Sequence, residues 1–324
     1  MRIRCYIGKS AQLNICGFSL AGLFSQPDCK TSLQFADWID DSQCIAVDID
    51  GARLVIDVHD QCDQWNPALL DWCHVYAKRN IDPAIPAPRQ DKIVPFGLNV
   101  PSHSKRSALA ALAAIAAILP SGFRPKQREL YVYLVTPHWK DLEHRPDQPV
   151  DQTILYQTRL WESDEAPNDE VINDERVALL RALRAEFKHR FAGGLVSTSY
   201  SRAHHPELIT QMPTRQPQYI RWAKKPAIAV YSRGLFGSMA FKMAEYLAAS
   251  KCIVTDPIRY TLQAPITHVA EYTSPEECIV QCQNLLSNPE LVQHRRQESW
   301  LYYNKYVRTP TAIRHLIDIA RQRA

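Results

Sequence analysis

Ile228-Ala229-Val230-Tyr231-Ser232-Arg233-Gly234-Leu235-Phe236-Gly237-Ser238-Met239-Ala240-Phe241-Lys242-Met243-Ala244-Glu245-Tyr246-Leu247-Ala248-Ala249-Ser250-Lys251-Cys252-Ile253-Val254 is the stretch that decides the fold. A β-rich run enters a turn bracketed by Gly234 and Gly237, a helix follows, and a second apolar run closes a βαβ unit. Lys242 and Glu245 stand one helical turn apart on the same face. Unpaired backbone N–H groups at a helix start attract phosphate, and glycines let the backbone come close to it. On this reading Gly234, Gly237 and Ser238 supply the approach, Lys242 adds a charge, and Glu245 accepts hydrogen bonds from a ribose. The plain alternative is a helix that merely begins after a glycine and carries one exposed Lys and one exposed Glu.

Working outward, a strand is expected over 153–158 and a long charged helix over 173–191. The pair Gly193-Gly194 then opens a strand over 195–198. Downstream, Ser274-Pro275-Glu276-Glu277 carries an N-cap, a proline and two acids in the first turn of a helix over 275–286. The first half alternates strands at 3–7, 44–48, 54–58, 75–79 and 92–94 with helices at 67–72 and 107–119, the pattern of a parallel sheet covered by helices. Between the halves the polar run 137–150 breaks the pattern. We therefore expect domains at 1–150 and 151–324, with the last helix packing back on the N-terminal domain. Only 10 glycines against 22 prolines argue against a long flexible linker. The expected fold class is α/β, two Rossmann-like domains facing a central cleft.

At 324 residues the chain is long enough for two cores, and 46% hydrophobic with 22% charged residues is ordinary for a soluble globular protein. Nine cysteines lack the paired spacing of a zinc or redox site. Cys278 and Cys282 share a helix face and read as core thiols, and a reducing, cytoplasmic compartment fits best. The start, Met1-Arg2-Ile3-Arg4-Cys5, reads as a strand and not as a secretory signal. The Ala-rich run 108–119 ends at Pro120, far short of a membrane span. A net charge of +4 is too small to argue for nucleic acid. Over 293–324, however, Arg295, Arg296, Lys305, Arg308, Arg314, Arg321 and Arg323 oppose only Glu298 and Asp318. This segment reads either as a solvated helix face or as a surface for peripheral attachment to anionic lipid.

Ligands of open parallel sheets gather beyond the carboxyl ends of strands. Three such ends stand out: Asp57-Val58-His59-Asp60, Thr158-Arg159-Leu160-Trp161 and Ser232-Arg233-Gly234. His59 and Asp60 would touch a sugar hydroxyl or move a proton, or else only organise a turn. Arg159 offers a forked guanidinium to a diphosphate, or else pairs with Glu162, Asp164 or Glu165. Asn99, at the end of Lys92-Ile93-Val94-Pro95-Phe96-Gly97-Leu98-Asn99, would hold an acceptor or cap the next helix.

With these residues assembled, the chain resembles bacterial glycosyltransferases of the GT-B fold that build cell-surface polysaccharide, and is loosely similar to the large retaining family of nucleotide-sugar transferases. The resemblance covers most of the chain. In the first half it rests on His59-Asp60, on Trp72-Cys73-His74-Val75-Tyr76-Ala77-Lys78-Arg79-Asn80 and on Ile93-Val94-Pro95-Phe96-Gly97-Leu98-Asn99. In the second it rests on Gln157-Thr158-Arg159-Leu160-Trp161, Gly234-Leu235-Phe236-Gly237-Ser238, Lys242-Met243-Ala244-Glu245-Tyr246 and Tyr302-Tyr303-Asn304-Lys305-Tyr306. It implies a nucleotide-sugar donor held by the C-terminal domain and an acceptor held by the N-terminal one. Glu245 is then similar to the acid that binds the ribose, Arg159 and Lys242 to the basic pair that neutralises the diphosphate, and His59 to a histidine near the transferred sugar. The retaining family often places a second glutamate eight positions before the first; here that position is Gly237. His205-Pro206 is similar to a short motif of sialic-acid and ketodeoxyoctonate transferases, and is equally explained by a helix start. Asp48-Ile49-Asp50 has the spacing of a metal-binding Asp-x-Asp but sits beside Gly51, where a tight turn is expected. No cofactor and no metal are expected, and charge stabilisation falls to Arg159, Lys242 and the helix dipole.

The leading expectation is thus a metal-independent glycosyltransferase. It would move a sugar from a nucleotide-sugar donor to a glycan or lipid-linked acceptor in surface polysaccharide synthesis, with retention, at the inner membrane face. The alternatives are a nucleotide-sugar epimerase of the same fold and a degenerate, non-catalytic member that binds glycan or nucleotide.

Overall fold

A computed structural model describes residues 1–122, 127–162 and 170–324. The described chain forms two compact units, Met1–Asp141 with Tyr260–Pro265 and Asn304–Ala324, and Leu142–Arg259 with Ile266–Tyr303. The first holds β1 (Arg2–Ile7), α1 (Leu13–Phe24), β2 (Lys30–Phe35), β3 (Cys44–Ile49), β4 (Ala52–Asp57), α2 (Pro67–Trp72), β5 (Val75–Lys78), β6 (Ile93–Pro95), α3 (Lys105–Ile118) and α4 (Gln127–Val135). The second holds β7 (Asp151–Thr158), α5 (Glu170–Phe187), β8 (Phe191–Leu195), α6 (Ser199–His204), α7 (Gln216–Ala223), β9 (Pro226–Tyr231), α8 (Phe241–Ala248), β10 (Cys252–Thr255), β11 (Ala270–Glu271), α9 (Pro275–Leu286) and α10 (Pro289–Tyr302). The last helix, α11 (Thr309–Gln322), belongs to the first unit. Both units are α/β, the fold class expected from the sequence.

The first sheet runs β2-β1-β3-β4-β5-β6. It is not wholly parallel as expected: β3 is antiparallel to both β1 and β4. The reason is local, because β3 and β4 are joined by a turn at Asp50 and Gly51, both with positive φ, too short for a parallel crossover. Asp48 accepts from the Gly51 N–H at 3.3 Å, so Asp48 and Asp50 belong to a hairpin. The edge strand β2 was not anticipated. Its Lys-Thr-Ser-Leu-Gln-Phe run buries only Leu33 and carries no apolar alternation. Across the sheet the register aligns Tyr6, Ala46, Val55, Tyr76 and Ile93 in one row. Trp65, Trp72, Leu69 and Leu70, on and beside α2, pack on this row. Elsewhere in the unit α1 and α11 meet so closely that a Cβ on Gly22 would clash with the Ile313 side chain.

The second sheet, β11-β10-β9-β7-β8, is parallel throughout. Helix α5 buries Ile172, Arg176, Val177, Leu180, Leu183 and Phe187 at helical spacing. The glycine pair lies inside β8 and does not precede it, so the strand expected over 195–198 begins four residues earlier and ends at Leu195. A Cβ on Gly193 would meet the Tyr156 carbonyl oxygen of β7, so only glycine allows that approach. Thr198 then N-caps α6 by accepting from the Ser201 N–H, which ends the strand.

The run 142–150, expected in the first domain, belongs to the second unit because its backbone is tied there. His144 N–H donates to the Ala248 carbonyl at 3.0 Å, Ser250 Oγ to the His144 carbonyl at 2.5 Å, and Arg296 Nη2 to the Gln148 carbonyl at 3.2 Å. That use of Arg296, which is buried, withdraws it from the basic surface expected over 293–324. No helix among the described residues is long and apolar enough to cross a membrane. All nine cysteines are free thiols, with Cys278 and Cys282 in the core of the second unit.

Candidate functional site

In the second sheet the chain passes from β7 to β8 on one side, then returns to lay β9 on the other side of β7. A crevice opens beyond the carboxyl ends of strands where the order reverses in this way. Here that place is the end of β7, Gln157-Thr158-Arg159, beside the end of β9, Val230-Tyr231-Ser232. A cavity of about 330 Å³ occupies it, and Arg159, Lys242 and Glu245 all line its wall. Arg159, 83 positions before Lys242 in sequence, is brought to Lys242 and Glu245 by the switch point.

Helix α8 supplies the floor. Its N-cap is Ala240, whose side chain accepts no hydrogen bond, so the first turn lacks the oxygen that Ser, Thr, Asp or Asn would provide. The Ala240 N–H is held by Tyr231 Oη at 2.8 Å, which fixes how the helix leaves β9. In the first turn, Lys242 Nζ lies 2.7 Å from Glu245 Oε2 and 3.6 Å from the centre of the Tyr219 ring. Both charged side chains are partly buried, Lys242 at 33% exposure and Glu245 at 15%. Arg159 places its guanidinium 4.5 Å from the centre of the Trp161 ring, and both residues line the cavity. Asp164 and Glu165, expected as alternative partners of Arg159, lie outside the described residues.

The glycine turn behaves differently from the expectation. Gly234 N–H donates to the Ser238 carbonyl at 2.8 Å and Ser238 N–H to the Leu235 carbonyl at 2.9 Å. Two amides assigned to an anion are therefore committed inside the turn, and the cavity wall comes from Ala240, Phe241 and Lys242 in place of Gly234, Gly237 and Ser238. Gly237, at φ 69°, serves the closure of this turn.

Arg176 was missed by the sequence reading. Buried on α5, it donates from Nη1 to the Arg159 carbonyl and from Nη2 to the Arg233 carbonyl, each at 2.6 Å, and so ties the loops after β7 and β9 together. The available signal was its place on the apolar stripe of α5, four residues after Ile172. A second cavity of about 510 Å³ adjoins the first through Tyr156, Arg176 and Ser232, and is lined by Glu175, Arg233, Asp256 and Arg259. Tyr156 Oη and Ser232 Oγ, 2.9 Å apart, stand between the two. Asp256 accepts from the Arg233 N–H at 2.9 Å, and Arg233 pairs with Glu175 at 2.6 Å. Its position one residue past β10 was the sequence signal for Asp256.

Burial pushes the Asp256 carboxyl up to about 6, against the opposing Arg233 N–H and guanidinium. Because the folded value lies above the unfolded one, this group favours the fold most below pH 4, and that contribution is lost as pH rises through 6. A shift of this size is worth about 3 kcal/mol. Asp256→Asn is expected to remove that part of the pH dependence: the stability difference between variant and wild type, by urea unfolding, should move toward the variant by about 2–3 kcal/mol from pH 4 to pH 7.5. An unchanged difference across this range refutes it.

His59 and Asp60 lie in the first unit, and the structure does not pair them. His59 Nδ1 is 2.8 Å from Asp57 Oδ1, which also accepts the His59 N–H at 2.9 Å, whereas Asp60 pairs with Arg79. Residues two apart on an extended chain share a face, so Asp57 and not the adjacent Asp60 reaches the ring. Asp57 also accepts from Tyr76 Oη at 2.7 Å and Lys78 Nζ at 3.0 Å. Burial would raise the Asp57 carboxyl, but the His59 hydrogen bond and the Lys78 charge hold it below the usual range. Asn99 is buried and does not cap α3; Ser104 does, in a capping box with Ser107. His205 closes α6 and Pro206 opens a short turn, as a helix boundary requires.

No known family profile and no curated protein matches the chain. Among solved structures, an alpha1,3-fucosyltransferase is similar at 10% identity and a TM-score of 0.42, covering 99% of this chain and 90% of that one. UDP-GlcNAc 2-epimerase from Neisseria meningitidis, bound to UDP-GlcNAc, is similar at 9% identity and a TM-score of 0.42, covering 99% and 100%. TarM aligns at 12% identity and a TM-score of 0.38 over 55% of this chain, which spans 37% of that protein. Likenesses of this size carry no argument about activity, which rests on the geometry alone.

Proposed function

We propose that the chain is a glycosyltransferase whose second unit binds a nucleotide-sugar donor. The observation that carries this reading is the convergence of Arg159, Lys242 and Glu245 on one cavity at the switch point of a parallel sheet. A diphosphate there meets a forked guanidinium, an ammonium and the uncapped first turn of α8, three sources of positive potential that stabilise a leaving phosphate. Glu245, one turn further along the helix, accepts from ribose hydroxyls. The acceptor is a glycan or lipid-linked sugar of surface polysaccharide, the transfer retains configuration, and the chain works against the inner membrane face. These finer assignments follow the sequence resemblance.

A thermal-shift screen against UDP, GDP, CMP and dTDP sugars tests the donor site. A ligand at 100 times its Kd stabilises by about 2.7 kcal/mol, a shift of several degrees. Stabilisation by one nucleotide class, reduced in Glu245→Ala and in Arg159→Ala, supports the site; equal stabilisation of both variants places the nucleotide elsewhere.

Epimerisation of the nucleotide sugar is the second reading, favoured by the Asp256 carboxyl in the adjoining cavity, raised to about 6 and so able to exchange a proton near neutrality. Product analysis without acceptor separates the two, since an epimerised nucleotide sugar sinks the transferase. Binding without turnover over a broad acceptor panel points instead to a non-catalytic member.

A further inference from the structure

Three potential ligand atoms meet in the first unit and are unused by the donor site. Asp41 stands on the loop before β3, Cys44 opens β3, and His59 follows β4, which pairs with β3 so that Cys44 lies opposite Asp57. A carboxylate oxygen of Asp41, the Cys44 sulfur and a ring nitrogen of His59 lie within 4.8 Å of one another. Cys44 is fully buried and His59 is 7% exposed.

The hydrogen bonds around the cluster decide which atoms face inward. Asp57 acts as acceptor toward Tyr76, Lys78 and the His59 backbone, so the proton shared with His59 Nδ1 sits on the ring. In the neutral ring that leaves Nε2 with a lone pair, and Nε2 is the nitrogen 3.6 Å from Asp41 Oδ1. Asp41 is itself oriented from both sides, Oδ1 accepting from the Gln43 N–H at 2.8 Å and Oδ2 from Asn66 Nδ2 at 3.2 Å. An imidazole nitrogen, a carboxylate and a thiol thus meet in one small volume, where the Cys44 thiol hydrogen-bonds Asp41 and a bound cation takes the place of that proton. A carboxylate bound to the far nitrogen of the ring is also how metal-ligating histidines are held.

We propose that Asp41, Cys44 and His59 bind a divalent transition metal, Zn²⁺ by the donor set, with Asp57 as the positioning residue for His59. Tetrahedral Zn²⁺ with bonds of about 2.0–2.3 Å separates its ligand atoms by about 3.3–3.7 Å, so the His59 and Asp41 atoms already stand at bonding separation. The sulfur needs to move by about 1 Å at most to join them. On binding, the Cys44 S–H proton leaves to solvent as the sulfur–metal bond forms, and a water completes the fourth position. The nitrogen and sulfur donors select Zn²⁺ over Mg²⁺ or Ca²⁺. No short motif announces the site, because its ligands are spaced by two and by fourteen intervening residues.

The test uses the full chain, stripped with a chelator and dialysed against Zn²⁺ or Co²⁺. Metal analysis of the wild type should return about one zinc per chain, and Cys44→Ser and His59→Ala about a fifth of that or less. The Co²⁺ form should show a near-ultraviolet thiolate-to-metal absorption that Cys44→Ser lacks, a readout on wild type that does not depend on the variants folding. Zinc-free wild type with no cobalt band overturns the proposal, leaving the cluster as a set of side-chain hydrogen bonds. Undiminished zinc in both variants overturns it equally.

Discussion

Lys78→Met is expected to destabilise the first unit by about 3–5 kcal/mol, the largest stability effect of any single change considered. Lys78 and Asp57 are both fully buried and 3.0 Å apart, on the neighbouring parallel strands β5 and β4. The ammonium also donates to the Gln64 carbonyl at 2.7 Å and lies 5.3 Å from the centre of the Trp65 ring. Methionine fills the same volume but leaves the Asp57 carboxylate dehydrated with only Tyr76 and His59 to hold it. The cost is that of an uncompensated buried charge, larger than the worth of the intact pair. The double variant Asp57→Asn/Lys78→Met removes both charges and should regain most of the loss. Hydrogen exchange at the β4 and β5 amides reads this sheet separately from the second unit. A single variant that loses less than about 1 kcal/mol would show the pair to be solvated.

The second large effect concerns the donor site and rests on the proposed function. Lys242→Ala should weaken binding of the best nucleoside diphosphate from the screen by about 10–100-fold, the worth of one or two charge-assisted hydrogen bonds. The loss has two parts. The ammonium disappears from the cavity, and Glu245, now without the partner 2.7 Å away, turns an uncompensated carboxylate toward the anion. Lys242→Ala/Glu245→Gln removes the second part and should recover some affinity for the diphosphate. Isothermal titration with the diphosphate and with the bare nucleoside distinguishes this from general damage. A role at the diphosphate predicts a large loss for the first ligand and almost none for the second, so equal losses would falsify it.

The local features of the chain were legible because they are decided over a few residues. Helices α2 and α9 begin where Asn66 and Ser274 stand before a proline, and in each the cap side chain accepts from the backbone three residues on. Strands β3, β4 and β9 carry apolar runs buried on both faces, over 44–47, 54–56 and the whole of β9, and such runs announce themselves by composition. The edge strand β2 has no such run. Its existence follows from pairing with β1, a contact that composition does not encode.

The candidate site divides along the same line. Placing Arg159, Lys242 and Glu245 at strand ends and on a first helical turn needed only local pattern, and the structure sets all three along one cavity. Which groups each side chain meets was a different matter. The amides of Gly234 and Ser238 satisfy carbonyls of their own turn, Arg176 leaves the solvent to bind two loop carbonyls, and His59 takes Asp57 in place of its neighbour Asp60.

By itself, then, the sequence determined the α/β class, most strand positions, helices α2, α3, α5, α8 and α9, and the residues presented at the ends of β4, β7 and β9, because hydrophobic period, caps and turns act between near neighbours. Tertiary structure alone decided the reversed strand order that opens the cavity between β7 and β9, the second cavity at Asp256, and the meeting of Asp41, Cys44 and His59. Those depend on which strands pair and in what register, and pairing is chosen by burial across the whole sheet.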